Sequence, residues 1–480
     1  MVVLKFGGSS VADAPALARV CAIVACERRR RVVVVSALAG VTDTLLEVAQ
    51  DASAGRADAA RARVADVRHR HAALAWRIHD AAARDALLAQ LDDVWAALDA
   101  SVRAASALGR LSAAASDAIT ASGELASSRL VAAVLAQAGM PAVWVDARTV
   151  VATDARHTQA VPVQDETAGR ARQFLRPLLD GQAIPVLGGF VGAAPDGATT
   201  TLGRGGSDFS AALIGACLDA EEIQIWTDVD GMLTADPRVL RQARPVARLS
   251  FDEASALAHF GARVLHPATV RPAYERNIPV RILNSRRPAH PGTVISRHAG
   301  ARIAPLAGLA CLTGISLIDV ALPGGADRTR ALAGVFEACA AAQADVYLVA
   351  LGDTRVSIAV GGDAARLKQA LDAVTPSVVV HRREECALLA VVGAGLANRR
   401  VRSAEVLAAL DRVPLHAVSE SVSEGHVAVV LSRADLSRAV ACLHARFFER
   451  APAPLIEDGS EIQTHVNPAG EHAATRAGVR

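Results

Sequence analysis

A largely parallel α/β sheet between layers of helix, followed by two smaller α/β units, is the fold class this sequence predicts, on three observations. Short valine-rich segments alternate with longer helical ones through the first 300 residues; the pattern changes near residue 300; and beyond it two weakly similar units of strand, helix, strand and strand follow one another. Strands that read as continuous apolar runs between helices belong to a parallel sheet covered on both faces.

The strands of the first part are expected at 2–6, 32–36, 142–146, 184–187 and 223–227. Between about 53 and 111, alanine, arginine and leucine recur at helical spacing with no glycine between Gly55 and Gly109. This stretch is expected to be a helical insertion able to act as a lid. After the polar stretch 296–302, the first small unit starts near Leu312 with TGISLIDVAL, a helix around 332–342, then VYLVAL and VSIAVG. The second starts near Leu388 with CALLAVVGAGL, a helix around 403–410, PLHAVSESV, HVAVVL and a last helix around 436–447. Paired units of this size read as a regulatory module. The expected division is 1–300, 301–380 and 381–450, with a poorly ordered, proline- and glycine-rich tail over 451–480.

Composition narrows the function classes. A chain of 480 residues exceeds one ordinary hydrophobic core, and 52% hydrophobic with 21% charged residues is a folded rather than a disordered composition. A net charge of +2 leaves no surplus for a nucleic acid backbone, and the arginine runs at 28–31 and 382–383 are short enough to be solvated faces. Seven cysteines without a CxxC pair fit reduced thiols in a cytoplasmic protein, not zinc or a disulfide framework. No uninterrupted apolar run approaches the roughly 20 residues of a membrane span, the nearest being 32–35, and Lys5 stands where a signal peptide would be apolar. The expectation is a soluble, unexported chain with no membrane partner.

Three stretches carry chemistry. KFGGSS puts Lys5 at the end of a strand and Gly7 and Gly8 at the start of a helix. Backbone N–H groups, a helix N-terminus and one full positive charge together make a phosphate cradle, although a plain strand-to-helix turn has the same local sequence. The spacing is neither a Walker loop nor a dinucleotide fingerprint. TTTLGRGGSDFSAAL holds Arg204 between glycines just before a clear helix, where a guanidinium can grip a carboxylate through two bonds. WTDVDGMLTADPR follows a buried-looking strand with Asp228, Asp230, Asp236 and Arg238, well placed for ligands beyond the carboxyl end of a parallel strand and equally good turn chemistry. His266 lies before Pro267 in a segment that reads structurally, and no histidine spacing suits a metal.

Taken in order, KFGGSSVAD, SALAGVTD, SGELASS, GGFVG, TTTLGRGGSDFSAAL, WTDVDGMLTADPR and FGARVLHPATVRPAYERNIPVRILN resemble the aspartate kinases of the amino acid kinase family, over nearly the whole chain. The resemblance implies an amino acid kinase fold followed by two ferredoxin-like βαββαβ modules of the ACT type. It implies ATP, with Mg²⁺ carried on the nucleotide, and L-aspartate as substrates. By the same resemblance Lys5, Phe6, Gly7 and Gly8 face the ATP phosphates; Thr227, Asp228, Leu233, Arg238, Arg263 and Val264 belong to the nucleotide site; and Thr42, Glu124, Arg204, Gly205, Gly206 and Ser207 hold aspartate. Lys5, Asp208 and Arg263 are implied as catalytic, with Asp208 organising the lysine. A homodimer or higher oligomer formed through the ACT modules is implied too, with lysine or threonine as the possible effector.

Two positions depart from the family pattern. Arg263 stands where relatives usually have lysine, which keeps the charge and changes its reach, and Leu233 stands where many have tyrosine. Tyr347, Ala350 and Leu351 replace the small polar groups of lysine-sensitive relatives. The product expected is 4-phospho-L-aspartate; the competing reading is a kinase-like amino-acid sensor or regulatory partner with weak catalysis. Acetylglutamate, glutamate and uridylate kinases would share the phosphate cradle but generally lack FGARVLHP and the paired modules. With the chain ending soon after the second module, no attached homoserine dehydrogenase portion is expected.

Overall fold

The computed structural model describes residues 1–262, 267–300, 304–322, 327–374, 380–398, 401–421 and 423–449. Its first part contains β1 (Val2–Phe6), β2 (Arg31–Val35), β3 (Ala142–Trp144), β4 (Ile184–Gly188), β5 (Val191–Ala193), β6 (Thr199–Thr201), β7 (Glu222–Thr227), β8 (Arg248–Ser250), β9 (Val280–Asn284) and β10 (Thr293–Ser296). Eight of these form one sheet in the order β3-β4-β2-β1-β7-β9-β10-β8. The central strand β1 is buried along its whole length and pairs in parallel with both β2 and β7, which sets Lys5 between Val34 and Ile225. Only β9 and β10 run antiparallel within this sheet. The expected strands all lie here.

The helices that position the site are α1 (Ala14–Cys26), α2 (Val41–Ser53), α3 (Ala57–Ala75), α4 (Ala81–Leu108), α5 (Ala113–Gln137) and α6 (Gly206–Cys217). The insertion expected at 53–111 is α3 and α4. Their apolar faces, including Val64, Val67, Leu87, Leu91, Trp95 and Leu98, belong to the same continuous core as the parallel sheet. Arg63 also pairs with Asp51 on α2, and Arg70 donates to the Ala39 carbonyl at 2.7 Å. So much shared core makes the insertion a fixed wall rather than a hinged lid.

By length and composition α5 is apolar enough to cross a membrane, and 78% of its most apolar window is buried inside the molecule. A search for uninterrupted runs passes over it because serines, Asp117, Glu124 and Arg129 break the sequence. Asp117, Glu124, Ser127 and Ser128, all buried, mark it as the core helix that carries part of the candidate site.

Beyond residue 304 the strands β11 (Gly308–Ala321), β12 (Asp345–Leu351), β13 (Arg355–Gly361), β14 (Val380–Val392), β15 (Leu415–Ser421) and β16 (His426–Ser432) form one antiparallel sheet in the order β12-β13-β11-β14-β16-β15. Two ferredoxin-like βαββαβ units share it, and strand pairing shows that they interlock. The second half of β11 pairs with β13 and with the start of β14, completing the first unit; the first half of β11, from Gly308 to Thr313, pairs with the end of β14 and supplies the outer strand of the second. The first unit is thus inserted within the second. The last helix, α7 (Leu436–Phe447), packs on the second unit through Leu436, Val440 and Leu443.

Candidate active site

The strands β4, β2, β1 and β7 are neighbours in that order, and a glycine-bearing motif follows the carboxyl end of each: GGF, SALAG, GGSS and TDVDG. Parallel pairing therefore gathers at one sheet edge four loops that lie far apart in the chain, the usual place for ligands in open α/β sheets. Backbone bonds fix them to one another. Ser36 N donates to the Phe6 carbonyl at 3.0 Å, Gly7 N to the Trp226 carbonyl at 3.0 Å and Gly189 N to the Val35 carbonyl at 2.8 Å.

At the centre, Lys5 Nζ lies 2.6 Å from Asp208 Oδ1, with both side chains largely buried. Asp208 is in the first turn of α6, where the helix dipole favours an anion. Gly205 caps that helix in the left-handed conformation, φ +73°, open to glycine at little cost. Gly189 is needed for a different reason: a Cβ there would fall 2.7 Å from the Cα and Cβ of Ser207, so only glycine lets the β4 exit touch the N-terminus of α6. The next residue, Phe190, holds φ +65° although it has a side chain; its N–H donates to Ser210 Oγ at 2.9 Å and its carbonyl accepts from Leu202 N at 2.9 Å.

Glu124 faces this junction from the middle of α5 and is only 3% exposed. Its Oε2 has no hydrogen-bond partner among the described residues. Burial pushes the carboxyl up to about 8, against the pull of the Ala37 backbone and of Lys5. In the free protein it is therefore mostly neutral at pH 7, and a cation arriving beside it would meet a carboxyl group that must first release its proton. The backbone on either side is fixed, since Ser127 Oγ donates to the Ser36 carbonyl at 2.8 Å.

The other expected substrate residues lie around this junction. Arg204 is exposed, with no ion pair among the described residues, between Gly203 and Gly205, both with positive φ. Gly206 and Ser207 are buried in the first turn of α6, and Thr42 is half-buried in the first turn of α2. Of the expected nucleotide residues, Thr227 and Asp228 stand at the exit of β7 beside Gly7, where Ser285 donates to the Thr227 carbonyl through both N and Oγ. Phe6 is fully buried and stacked on Trp226, and its carbonyl accepts from Ser36 N. Arg238 is exposed and held by Asp236 on its own turn, through Nε at 3.1 Å and Nη2 at 2.7 Å. Leu233 is half-buried and bridged to Pro245. Asp230 is tied to Arg287 and accepts from Asn284 Nδ2 at 2.7 Å, which fits turn chemistry. Arg263, Val264 and His266 lie outside the described residues. No cluster of metal-ligating side chains is found among the described residues.

Sequence reasoning missed Phe190, Ser10 with Ser285, and above all Asp117, seven residues before Glu124 on the same face of α5. The sequence carries no signal for Asp117, because one aspartate on a helix ordinarily marks its solvent face.

Residues 1–284 match the amino acid kinase family, the class that the parallel sheet and its glycine-bearing strand exits define, and the chain belongs to that family. Over 94% of its length it is 31% identical to the lysine-sensitive aspartokinase 3 of Escherichia coli (strain K12), covering 99% of that protein. It is 31% identical to the chloroplastic bifunctional aspartokinase/homoserine dehydrogenase 1 of Arabidopsis thaliana and 32% identical to the bifunctional chloroplastic enzyme of Daucus carota, with 92% of the chain aligned in each case. It covers 50% of each, so the chain spans about half the length of these curated relatives. The crystal structure of E. coli aspartokinase III in complex with aspartate and ADP is similar at a TM-score of 0.80 and 30% identity, over 94% of this chain and 100% of that one. Within the amino acid kinase family, the chain groups with the aspartokinases.

Proposed function

We propose that this chain transfers the γ-phosphoryl group of ATP to the side-chain carboxylate of L-aspartate, making 4-phospho-L-aspartate, the entry compound of lysine, threonine and methionine synthesis. The observation that carries the reading is the set of charges at the sheet edge: a buried Lys5–Asp208 pair, a buried Glu124 with a free oxygen, and next to a helix N-terminus an Arg204 unpaired among the described residues. Lys5 and the glycine turns suit phosphates, Arg204 suits the substrate α-carboxylate, and Glu124 suits its ammonium. The relative of known structure binds aspartate and ADP.

The substrate side-chain carboxylate, whose ordinary pKa is about 3.9, is ionised at neutral pH and needs no base. One of its oxygens attacks the γ-phosphorus, the bond from that phosphorus to the β,γ-bridging oxygen breaks, and ADP leaves with the electron pair. Bringing two anions together is the difficulty, so the site's contribution is positive charge and alignment. Lys5, held by Asp208, lies where charge moves onto the phosphates. Mg²⁺ carried by ATP would supply further neutralisation. Docking of the aspartate ammonium would ionise Glu124 and release its proton, which pairs a buried carboxylate with a buried cation. Arg263 and Val264 belong to the proposed nucleotide site with Thr227 and Asp228.

Two further elements complete the reading. The interlocked C-terminal units are an amino-acid-sensing module, and the E. coli relative has been crystallised with lysine; lysine or threonine is the effector class here, acting on a homodimer in the cytoplasm. Incubation with Mg-ATP, L-aspartate and hydroxylamine should yield aspartyl hydroxamate from the native chain and at least about 10³-fold less from Lys5→Ala. Aspartate binding without hydroxamate would replace the enzyme reading with that of a sensor.

A further inference from the structure

Asp117 opens the buried face of α5 and is fully buried, yet it touches none of the groups assigned above. Three donors converge on its carboxylate. Thr158 N donates to both oxygens at 3.0 Å, His157 Nδ1 lies 2.8 Å from Oδ2, and the Thr201 hydroxyl donates to Oδ1. Thr158 holds φ +70°, which a β-branched residue adopts only under constraint. The loop thus bent lies against the substrate loop: the Thr158 carbonyl is 3.4 Å from the position of a Cβ on Gly203, and Ala160 N donates to the Thr201 carbonyl at 2.9 Å. The neighbouring Thr153 and Thr200 hydroxyls share a buried bond of 2.7 Å.

We propose that Asp117 is a positioning residue that fastens the strained 154–160 loop and, through Thr201, sets where Arg204 stands relative to Glu124. This inference rests on the assignment of Arg204 and Glu124 to the two charged ends of the amino acid. Seven residues on one helix put Asp117 and Glu124 on the same face, about 10 Å apart along the axis. Helix α5 therefore carries one recognition group itself and anchors the loop that bears the other. The spacing between the partners of the α-ammonium and the α-carboxylate, two groups on one carbon of the substrate, is thus set by α5 and this one carboxylate.

The carboxylate is needed because an amide has one acceptor oxygen and would turn an N–H toward at least one of the donors. Asp117→Asn should raise the KM for aspartate about tenfold or more, with the KM for ATP within twofold of native. Thr158→Gly takes φ > 0 freely; alone it should leave both KM values near native, and combined with Asp117→Asn it should recover part of the lost aspartate affinity. Hydrogen exchange of the native chain and Asp117→Asn should differ in the backbone of 156–161 and 201–207 and agree elsewhere. Equal rises in both KM values, no rescue by glycine, or unchanged exchange in those two segments would overturn the proposal. Should the native chain make no hydroxamate, the functional reading fails, while the exchange measurement still decides whether Asp117 holds the loop.

Discussion

The two sheets of this molecule treat buried polar groups in opposite ways. Around the parallel sheet, Lys5, Asp51, Asp117, Glu124, Ser127 and Ser128 are all buried, several of them converging on the edge where the strands end. In the antiparallel sheet the central strands bury alanine, valine and leucine almost without interruption from Cys386 to Val392 and from Val427 to Leu431. Polar contacts instead join the second unit to the first part. The Thr234 hydroxyl is 2.9 Å from Nε2 of the fully buried His444 on α7, Arg244 Nη1 donates to the Phe448 carbonyl at 3.0 Å, and Ala394 N donates to Glu253 Oε1 at 2.8 Å. Thr234 sits in the loop that begins with Thr227 and Asp228, so the C-terminal half holds the far end of the loop proposed to bind nucleotide. Buried polar groups gather at the candidate site in one half and at the joint between the halves in the other.

The largest break in this contrast is at the central ion pair. Lys5→Ala should lower the hydroxamate rate by about 10³-fold or more and, by stranding Asp208, cost about 3 kcal/mol in urea unfolding. The pair Lys5→Met with Asp208→Leu should recover much of the stability and none of the rate, separating charge from packing.

Next in size is Glu124. In a titration calorimeter, aspartate binding at pH 7 should release close to one proton, read as a heat that changes with the ionisation enthalpy of the buffer. Glu124→Gln should abolish that release and raise the aspartate KM at least tenfold. The native Glu124 also holds its proton up to about 8, whereas the unfolded carboxyl loses it near its ordinary value. The folded chain therefore binds more protons in between, and this group's contribution lowers stability as pH rises from about 4.5 to 8. That slope should be absent in Glu124→Gln.

His71 gives the opposite slope from within the insertion. It is fully buried against Trp95, Nδ1 is 2.7 Å from the Val67 carbonyl, and burial holds the ring down at about 4. The unfolded chain takes up the proton first as pH falls below 6.5, so stability should decline by about 3 kcal/mol between pH 6.5 and 4. His71→Phe should flatten that part of the curve and leave the rate at pH 8 within twofold of native, as expected of a wall and not of a lid.

The smallest effect is at the joint between the halves. Thr234→Val should cost about 1 kcal/mol by leaving Nε2 of His444 without its partner, change the KM for ATP about twofold, and shift the concentration of effector that gives half inhibition. The aspartate KM should not follow.

What the sequence shows and what it hides divide along the same line. Three of the loops are legible because each motif is local: Lys5 with Gly7 and Gly8, Arg204 between glycines, Asp228 after an apolar strand. The Lys5–Asp208 pair joins residues 203 positions apart and was reached only through the family resemblance. Asp117 could not be read at all, since its donors come from two separate segments, 157–158 and 201, and a single aspartate on a helix ordinarily marks the solvent face. The interlocking of the C-terminal units was hidden for the same reason: residues 308–313 find their partners at 387–392, about 80 positions on. Arg238 was placed by its motif alone; the same turn supplies Asp236, which holds it through Nε and Nη2.

The central claim is that the substrate carboxylate itself attacks phosphorus, and oxygen labelling tests it most directly. L-aspartate carrying ¹⁸O in its side-chain carboxylate would be incubated with native protein, Mg-ATP and hydroxylamine, and the phosphate released on trapping examined by ³¹P resonance. Hydroxylamine cleaves the acyl carbon–oxygen bond, so the account predicts one ¹⁸O in the phosphate for every hydroxamate formed. Unlabelled phosphate, or label that never leaves aspartate, would contradict it.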